Sequence, residues 1–461
     1  MNLLSLLVLG LPILTGTLLI HLVWIGKNQP IDLILKISLG TGIGLGISSL
    51  LYFVCLIFFD GGPYFIFLEL AMFFAALIVM VFKNKKATQI QSPRLSIGFL
   101  QILILIIAGI VFAASFLGVV NSARQRVHGD WDAWMIYNRA ARFIYRGQEA
   151  WQDAFSKDMD VIFHADYPPL LSLNIASRWV LLNEETSSVP MFQSIFFSLA
   201  SLGLCFSALA SLKSLGQAGL GIIFLGGVSL FLGEGGRQTA DMPLAFYILA
   251  SIVFLFFCHQ EGRPVLMVCA GFSMGLAAWT KNEGMLFLFL YAGIMVIAAI
   301  RKGSFHGLFF FFAGLFLPLV LLLYFKFQIA PPSEFLVQEN GVIMQNLLDT
   351  SRHRFILNSF KNFILHSGGW NNIGVFVVLC LYFLLFRIRV KDNPDAVFIS
   401  LAIFAFQIMG YYFIYLISPY DLEWHVSFSL NRLFVHIYPA LVFVILIISQ
   451  SPETVFSSGA E

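Results

Sequence analysis

LSIGFLQILILIIAGIVFAASFLGVV, residues 95–120, runs on without one Asp, Glu, Lys or Arg, and the chain then breaks into NSARQRVHGDWDAWMIYNRAARFIYR, residues 121–146. A bilayer-spanning helix needs about 20 mostly apolar residues, and hydrocarbon offers no partner to a free backbone N–H or C=O. The first stretch therefore reads as a spanning helix and the second as its outlet. Hydropathy places further spans near 3–25, 31–58, 64–82, 190–212, 217–233, 243–258, 264–280, 283–300, 306–326, 371–388, 396–418 and 432–449. The expected fold class is an all-α polytopic membrane protein of about thirteen transmembrane helices, with interfacial helices in its outer loops.

Composition agrees. The 461 residues are 59% hydrophobic and 11% charged, whereas a soluble domain carries about 25% charge. Lys and Arg (27) nearly balance Asp and Glu (25), so no nucleic-acid partner is expected. Cys55, Cys205, Cys258, Cys269 and Cys380 sit in apolar runs without metal-ligand spacing, as small core residues do. The apolar start lacks a basic n-region and runs into further spans, so it reads as a retained helix. No N-x-Ser/Thr acceptor occurs, which favours the inner (cytoplasmic) membrane of a bacterium over the endoplasmic reticulum.

Two long segments, 121–189 and 327–370, fall on one side by parity. Short loops on the other side carry Lys83, Lys85, Lys86, Arg94, Arg301, Lys302, Arg387, Arg389 and Lys391, against only Arg237, Lys281 and Arg432 on the first. The positive-inside rule makes the basic side cytoplasmic, so both long segments face outward. Leu170 to Leu182 could be a further span, which would shift the count, but at about 13 residues with Asn174 and Arg178 it reads as a short interfacial helix. GTGIGLG, Gly40 to Gly46, reads as a helix-packing face of small residues and not as a phosphate loop. Glu69 reads as a snorkelling acid without an obvious partner.

Segment 121–166 holds seven of the 25 acids, among them Asp130, Asp132, Asp158, Asp160 and Asp166. Apart from Asp132, each is equally well read as part of a solvated loop. At about 100° per residue, Asp132, Asn138, Arg139, Arg142 and Arg146 share one arc of a helix, opposite Trp131, Trp134, Tyr137, Ala141 and Ile144. Such a helix lies in the membrane interface, where arginines meet phosphate. The prolines of DYPPLL (Asp166 to Leu171) turn the chain back, which either holds His164 and Asp166 near that helix or, equally well, simply starts the next one. GEGGRQTADMP (233–243), WTKNEG (279–284) and SPYDLEWHVSFSLNR (418–432) add Arg237, Asp241, Lys281, Glu283, His425 and Arg432 at the same mouth. Asp241 reads either as a helix cap or as a held polar group, and Lys281 either as a snorkelling side chain or as a phosphate ligand.

These residues resemble the GT-C glycosyltransferases, in the branch of the protein O-mannosyltransferases and the lipid A aminoarabinose transferase. The resemblance rests on Asp132 with Ala140 and Gly147 at the family's spacing, YPPL at Tyr167 to Leu170, ADMPLAF at Ala240 to Phe246 and GLAAWTKNEG at Gly275 to Gly284. It implies a catalytic module over 95–450, preceded by additional helices in 1–94 and followed by a cytoplasmic tail, 451–461. It further implies inverting transfer from a polyprenyl-phosphate sugar to a glycan, lipid or protein acceptor. Asp132 is then the catalytic base and Arg139, Arg142, Lys281 and Arg237 the donor-phosphate ligands. Asp130, His164, Asp166, Tyr167, Asp241, Glu283, His425 and Arg432 are the further site candidates. No cofactor is implied with certainty, and a divalent metal is left open. The chain departs from the family at Asp132-Ala133, where Asp-Glu is common, and at Asp166-Tyr167, where the aminoarabinose enzymes place a lysine before the paired prolines. A transporter or lipid flippase is the alternative from another class. A polysaccharide polymerase or ligase, using Arg432 with His425 or His436, is a third reading.

Overall fold

The computed structural model describes residues 3–24, 30–59, 61–84, 98–158, 164–333, 340–369, 373–386 and 393–458. Lys85, Lys86, Arg94, Asp160, Arg387, Arg389 and Lys391 lie outside them. The described chain is helical throughout, with no β-strand. Ten helices are long and apolar enough to cross a membrane: Leu3–Val23, Pro30–Phe59, Phe65–Lys83, Phe99–Gln125, Ser188–Leu212, Asp241–Glu261, Asn282–Lys302, His306–Ile329, Pro394–Leu416 and Leu422–Ile448. This is the architecture of a multi-pass membrane protein.

The other three expected spans differ from full-length helices. The one near 217–233 is a pair, Leu215–Gly226 and Ser229–Gly235, bent by 67°. The break falls at Gly227-Val228, beside Gly226, which packs against Ser115. Pro264–Ala278 and Val375–Leu385 are apolar but shorter.

Helix Asp241–Glu261 forms the centre, with every side chain from Asp241 to Phe257 buried. Helix Pro30–Phe59 packs on it through the glycine run. Gly42 faces the Phe246 ring, Gly46 faces Leu276, and Gly40 and Gly44 meet helix Leu3–Val23 backbone to backbone. A side chain at any of these positions would collide, so Gly40 to Gly46 is the packing face that the spacing predicts. The Tyr247 hydroxyl donates to the Gly42 carbonyl at 2.8 Å. All five cysteines are free.

Leu170–Leu182 is a helix whose residues from Leu170 to Trp179 are all buried, packed against the amphipathic helix and the first two spans. One sequence expectation is overturned here: Glu69 does not snorkel. The Arg178 guanidinium grips both its oxygens at 2.5 and 3.0 Å and also donates to Ser48 Oγ and the Val8 carbonyl. Arg178 and Glu69 are 0% and 3% exposed, so each charge is neutralised where water is absent. The C-terminal segment begins with a short helix, Pro452–Ser458, whose Glu453 accepts from Gln101 at 2.8 Å.

Candidate functional site

The turn that presents Asp132 is built on glycine. Gly129 has φ +78°, and a side chain there would strike Ala133, the Arg237 carbonyl and Gln238. The close approach lets Asp130 N donate to the Arg237 carbonyl at 3.0 Å, while Gln238 Nε2 donates to the Arg126 carbonyl at 3.0 Å. The Arg237 side chain lies 3.2 Å from Asp130 and 2.7 Å from Glu234. Asp130 accepts from Trp131 N at 2.9 Å and so starts the helix. Asp130 and Arg237 thus form one local pair at this turn.

The amphipathic helix does not present one polar arc. Residues Ala133–Tyr137 form a π-turn, and α-helix resumes at Asn138–Gly147. A π-turn holds more residues per turn than an α-helix, so a wheel drawn at a constant 100° loses phase across it. Asp132 points into the bundle mouth. Asn138 is buried and donates to the His128 carbonyl at 3.2 Å. Arg142 and Arg146 reach Glu185 at 3.5 and 2.5 Å, and Arg142 lies over the Trp179 ring.

Asp132 meets Arg432 at 2.5 Å. The same guanidinium donates through Nε to Asp241 at 2.8 Å. Asp241 opens helix Asp241–Glu261 and is fully buried, yet it does not cap that helix. Its Oδ1 faces Lys281 Nζ at 3.0 Å and His436 Nε2 at 2.7 Å, and its Oδ2 accepts from Thr239 at 3.0 Å as well as from Arg432. Lys281 also pairs with Glu283 at 2.9 Å. Burial opposes charge on Lys281, but Asp241 and Glu283 hold its ammonium above the ordinary lysine value. Lys281 is therefore a buried countercharge and does not snorkel. Asp132 and Arg432 keep 19% and 17% of their side-chain surface open and Glu283 16%, whereas Asp241, Lys281 and His436 are sealed.

Beside it, a narrow cleft is lined by Tyr137, Arg139, Phe155, His164, Tyr167 and Ser172 among others. His164 stacks on Tyr167 with ring centroids 4.6 Å apart, so the double-proline turn does hold it against the amphipathic helix. Burial pushes the His164 imidazole down, against the pull of Asp166 and Asp132. Burial also lowers Arg139, whose Nε donates to the Met135 carbonyl at 2.9 Å. Asp166 is tied from two sides: Asn282 donates to its carboxylate at 2.7 Å and Lys326 to its carbonyl at 2.5 Å. Lys326 rides on a second π-turn, Phe325–Ile329.

The structure thus gathers Asp132, Asp241, Lys281, Glu283 and Arg432 into one network, with Arg139, His164, Asp166 and Tyr167 beside it. His425 is hydrogen-bonded to Ser418 at 2.7 Å and packs edge-on against Tyr415, and it feels the charges of Glu283 and His164. Sequence reasoning missed Lys326, Asn282, Glu234 and the buried Tyr137, and named His436 only within the polymerase reading. His436 had a signal, since it lies one helical turn after Arg432. Lys326 had only its place at the end of an apolar run. Among the described residues no three His, Cys, Asp or Glu side chains gather to hold a metal ion. No family model, curated protein or solved structure matches this chain.

Proposed function

We propose that the chain is a GT-C-type glycosyltransferase that moves a sugar from a polyprenyl-phosphate donor to a hydroxyl acceptor, with Asp132 as general base. The observation that carries this reading is the Asp132–Arg432 pair: a partly open carboxylate backed by a cation that is itself anchored on buried Asp241. In the reaction the acceptor oxygen attacks the anomeric carbon as the bond from that carbon to the phosphate oxygen breaks. The acceptor proton passes to Asp132, and the phosphate leaves with the bonding electrons. A carboxylate in reach of the acceptor and cations near the leaving phosphate are what such a step requires. Arg139, which lines the cleft, and Arg432, which meets Asp132, are the cations proposed for the second role.

We take the ten long helices, the bent pair and the shorter helices Pro264–Ala278 and Val375–Leu385 as crossings, and not the third short apolar helix, Leu170–Leu182, for thirteen spans. The basic loops then lie inside, and Asp132 opens on the outer face of the inner membrane. Asp241, Lys281 and Glu283 sit at the starts of helices Asp241–Glu261 and Asn282–Lys302, and Arg432 and His436 join them from within Leu422–Ile448; the network opens at Asp132, at the outlet of a spanning helix, which supports surface chemistry over transport. The test is incubation of purified full-length protein with a panel of prenyl-phosphate sugars, with free prenyl phosphate as readout. Release that requires an acceptor supports the reading; sugar-lipid movement across vesicles without cleavage favours a flippase and overturns it.

A further inference from the structure

Helix Thr350–His366 carries Arg352, His353, Arg354, Lys361 and His366 and no acid. Its inner stripe is Ile356, Phe360 and Phe363, all buried. Phe363 stacks on Phe434 with centroids 4.5 Å apart, and Phe360 meets Tyr415 and Phe434 edge-on. Arg352 fixes the helix further by donating to the Tyr415 carbonyl at 3.0 Å, and His353 bonds the Tyr412 hydroxyl. The helix is thereby laid across the ends of Pro394–Leu416 and Leu422–Ile448, at the same end of the bundle as Asp132.

At 100° per residue the arc turned away from that stripe contains Leu357, Ile364 and Leu365, with Arg354 and Lys361 between them. Leu357 is 57% exposed, Ile364 37% and Leu365 38%, and both cations are exposed. Just before it, Met344 and Leu348 of helix Asn340–Leu348 are also bare, at 57% and 74%. Water alone does not suit this face, and a bundle of spanning helices places its ends beside lipid. An apolar strip with two cations and no carboxylate is complementary to acyl chains topped by anionic phosphate.

We infer that this face is a docking site for anionic phospholipid. The headgroup phosphate sits between Arg354 and Lys361, and the acyl chains cover Leu357, Ile364 and Leu365. This inference does not depend on the glycosyltransferase reading.

The test uses full-length, cysteine-free protein with a single bimane-labelled cysteine at Leu357, reconstituted in vesicles containing brominated phosphatidylglycerol or brominated phosphatidylcholine at equal fraction. The anionic lipid should quench more strongly, corresponding to a local enrichment on the order of several-fold, and 1 M salt should abolish the difference. In R354Q/K361Q both lipids should quench alike, which shows the helix still in place with its selectivity gone. Equal quenching by the two lipids in the parent protein would overturn the inference. So would quenching by neither, the result expected if water, a protein partner or a second copy covers the face.

Discussion

Arg432 donates to Asp132 across 300 residues of chain, and the same guanidinium holds Asp241. One cation thus joins the most open carboxylate of the site to its most buried one.

Replacing Asp132 by Asn keeps shape and removes the proton acceptor. Turnover of a prenyl-phosphate sugar should fall by about 10²-fold or more, with folding nearly unchanged. Asp130→Asn retains a side-chain acceptor for Trp131 N and should keep most activity. An active Asp132→Asn enzyme would remove it from the chemistry.

Asp241→Asn takes the charge from the hub that Lys281 and Arg432 share. Breaking a buried pair costs about 3–5 kcal/mol, so detergent-solubilised protein should unfold at a clearly lower temperature. A melting temperature equal to the parent's would show that Glu283 and Asp132 suffice as countercharges.

The Glu69–Arg178 pair makes a contrasting case. Either Glu69→Leu or Arg178→Met alone should destabilise by about 3 kcal/mol, whereas the two together should recover much of that, since a matched apolar pair replaces a matched ionic one. The double-mutant cycle in thermal unfolding reads this directly, and additive losses would contradict it.

Burial holds His164 below its ordinary value of 6.5, so the folded chain binds fewer protons there than the unfolded chain. The associated stability is complete above about 6.5 and is lost as pH falls toward the folded value. His164→Gln should flatten the stability profile between pH 7 and the acid side. An unchanged slope would mean that His164 titrates normally.

Orientation is checked with single cysteines in a cysteine-free chain. Position 130 should react with an impermeant reagent applied outside intact cells, and position 302 only after permeabilisation; the reverse pattern would invert the proposed topology.

Hydropathy located the spanning helices because each must satisfy its backbone alone, a condition visible in a window of some 20 residues. Gly40 to Gly46 was legible for a related reason: small residues four apart leave only close packing as their use. Pairings between distant segments were not. Nothing in the neighbourhood of Glu69 announces Arg178, 109 residues on, and an arginine in a 13-residue apolar run does not announce the buried pair it makes. At the site, residue types and loops were readable, but not which cation each acid takes. Lys281 shows this well, since tertiary burial and not spacing decides between snorkelling and countercharge.

The π-turn at Ala133–Tyr137 has the effect of a phase shifter. Removing any one of its five residues restores ordinary winding, and that would act less as a shortening than as a rotation, swinging Arg139 and the Glu185-bound arginines around the axis relative to Asp132. The alignment of an acid with one wall of the cleft, and of two arginines with another part of the surface, is therefore kept by a count of residues. A deletion scan through 133–137 would misdirect the site even where every contacting side chain survived.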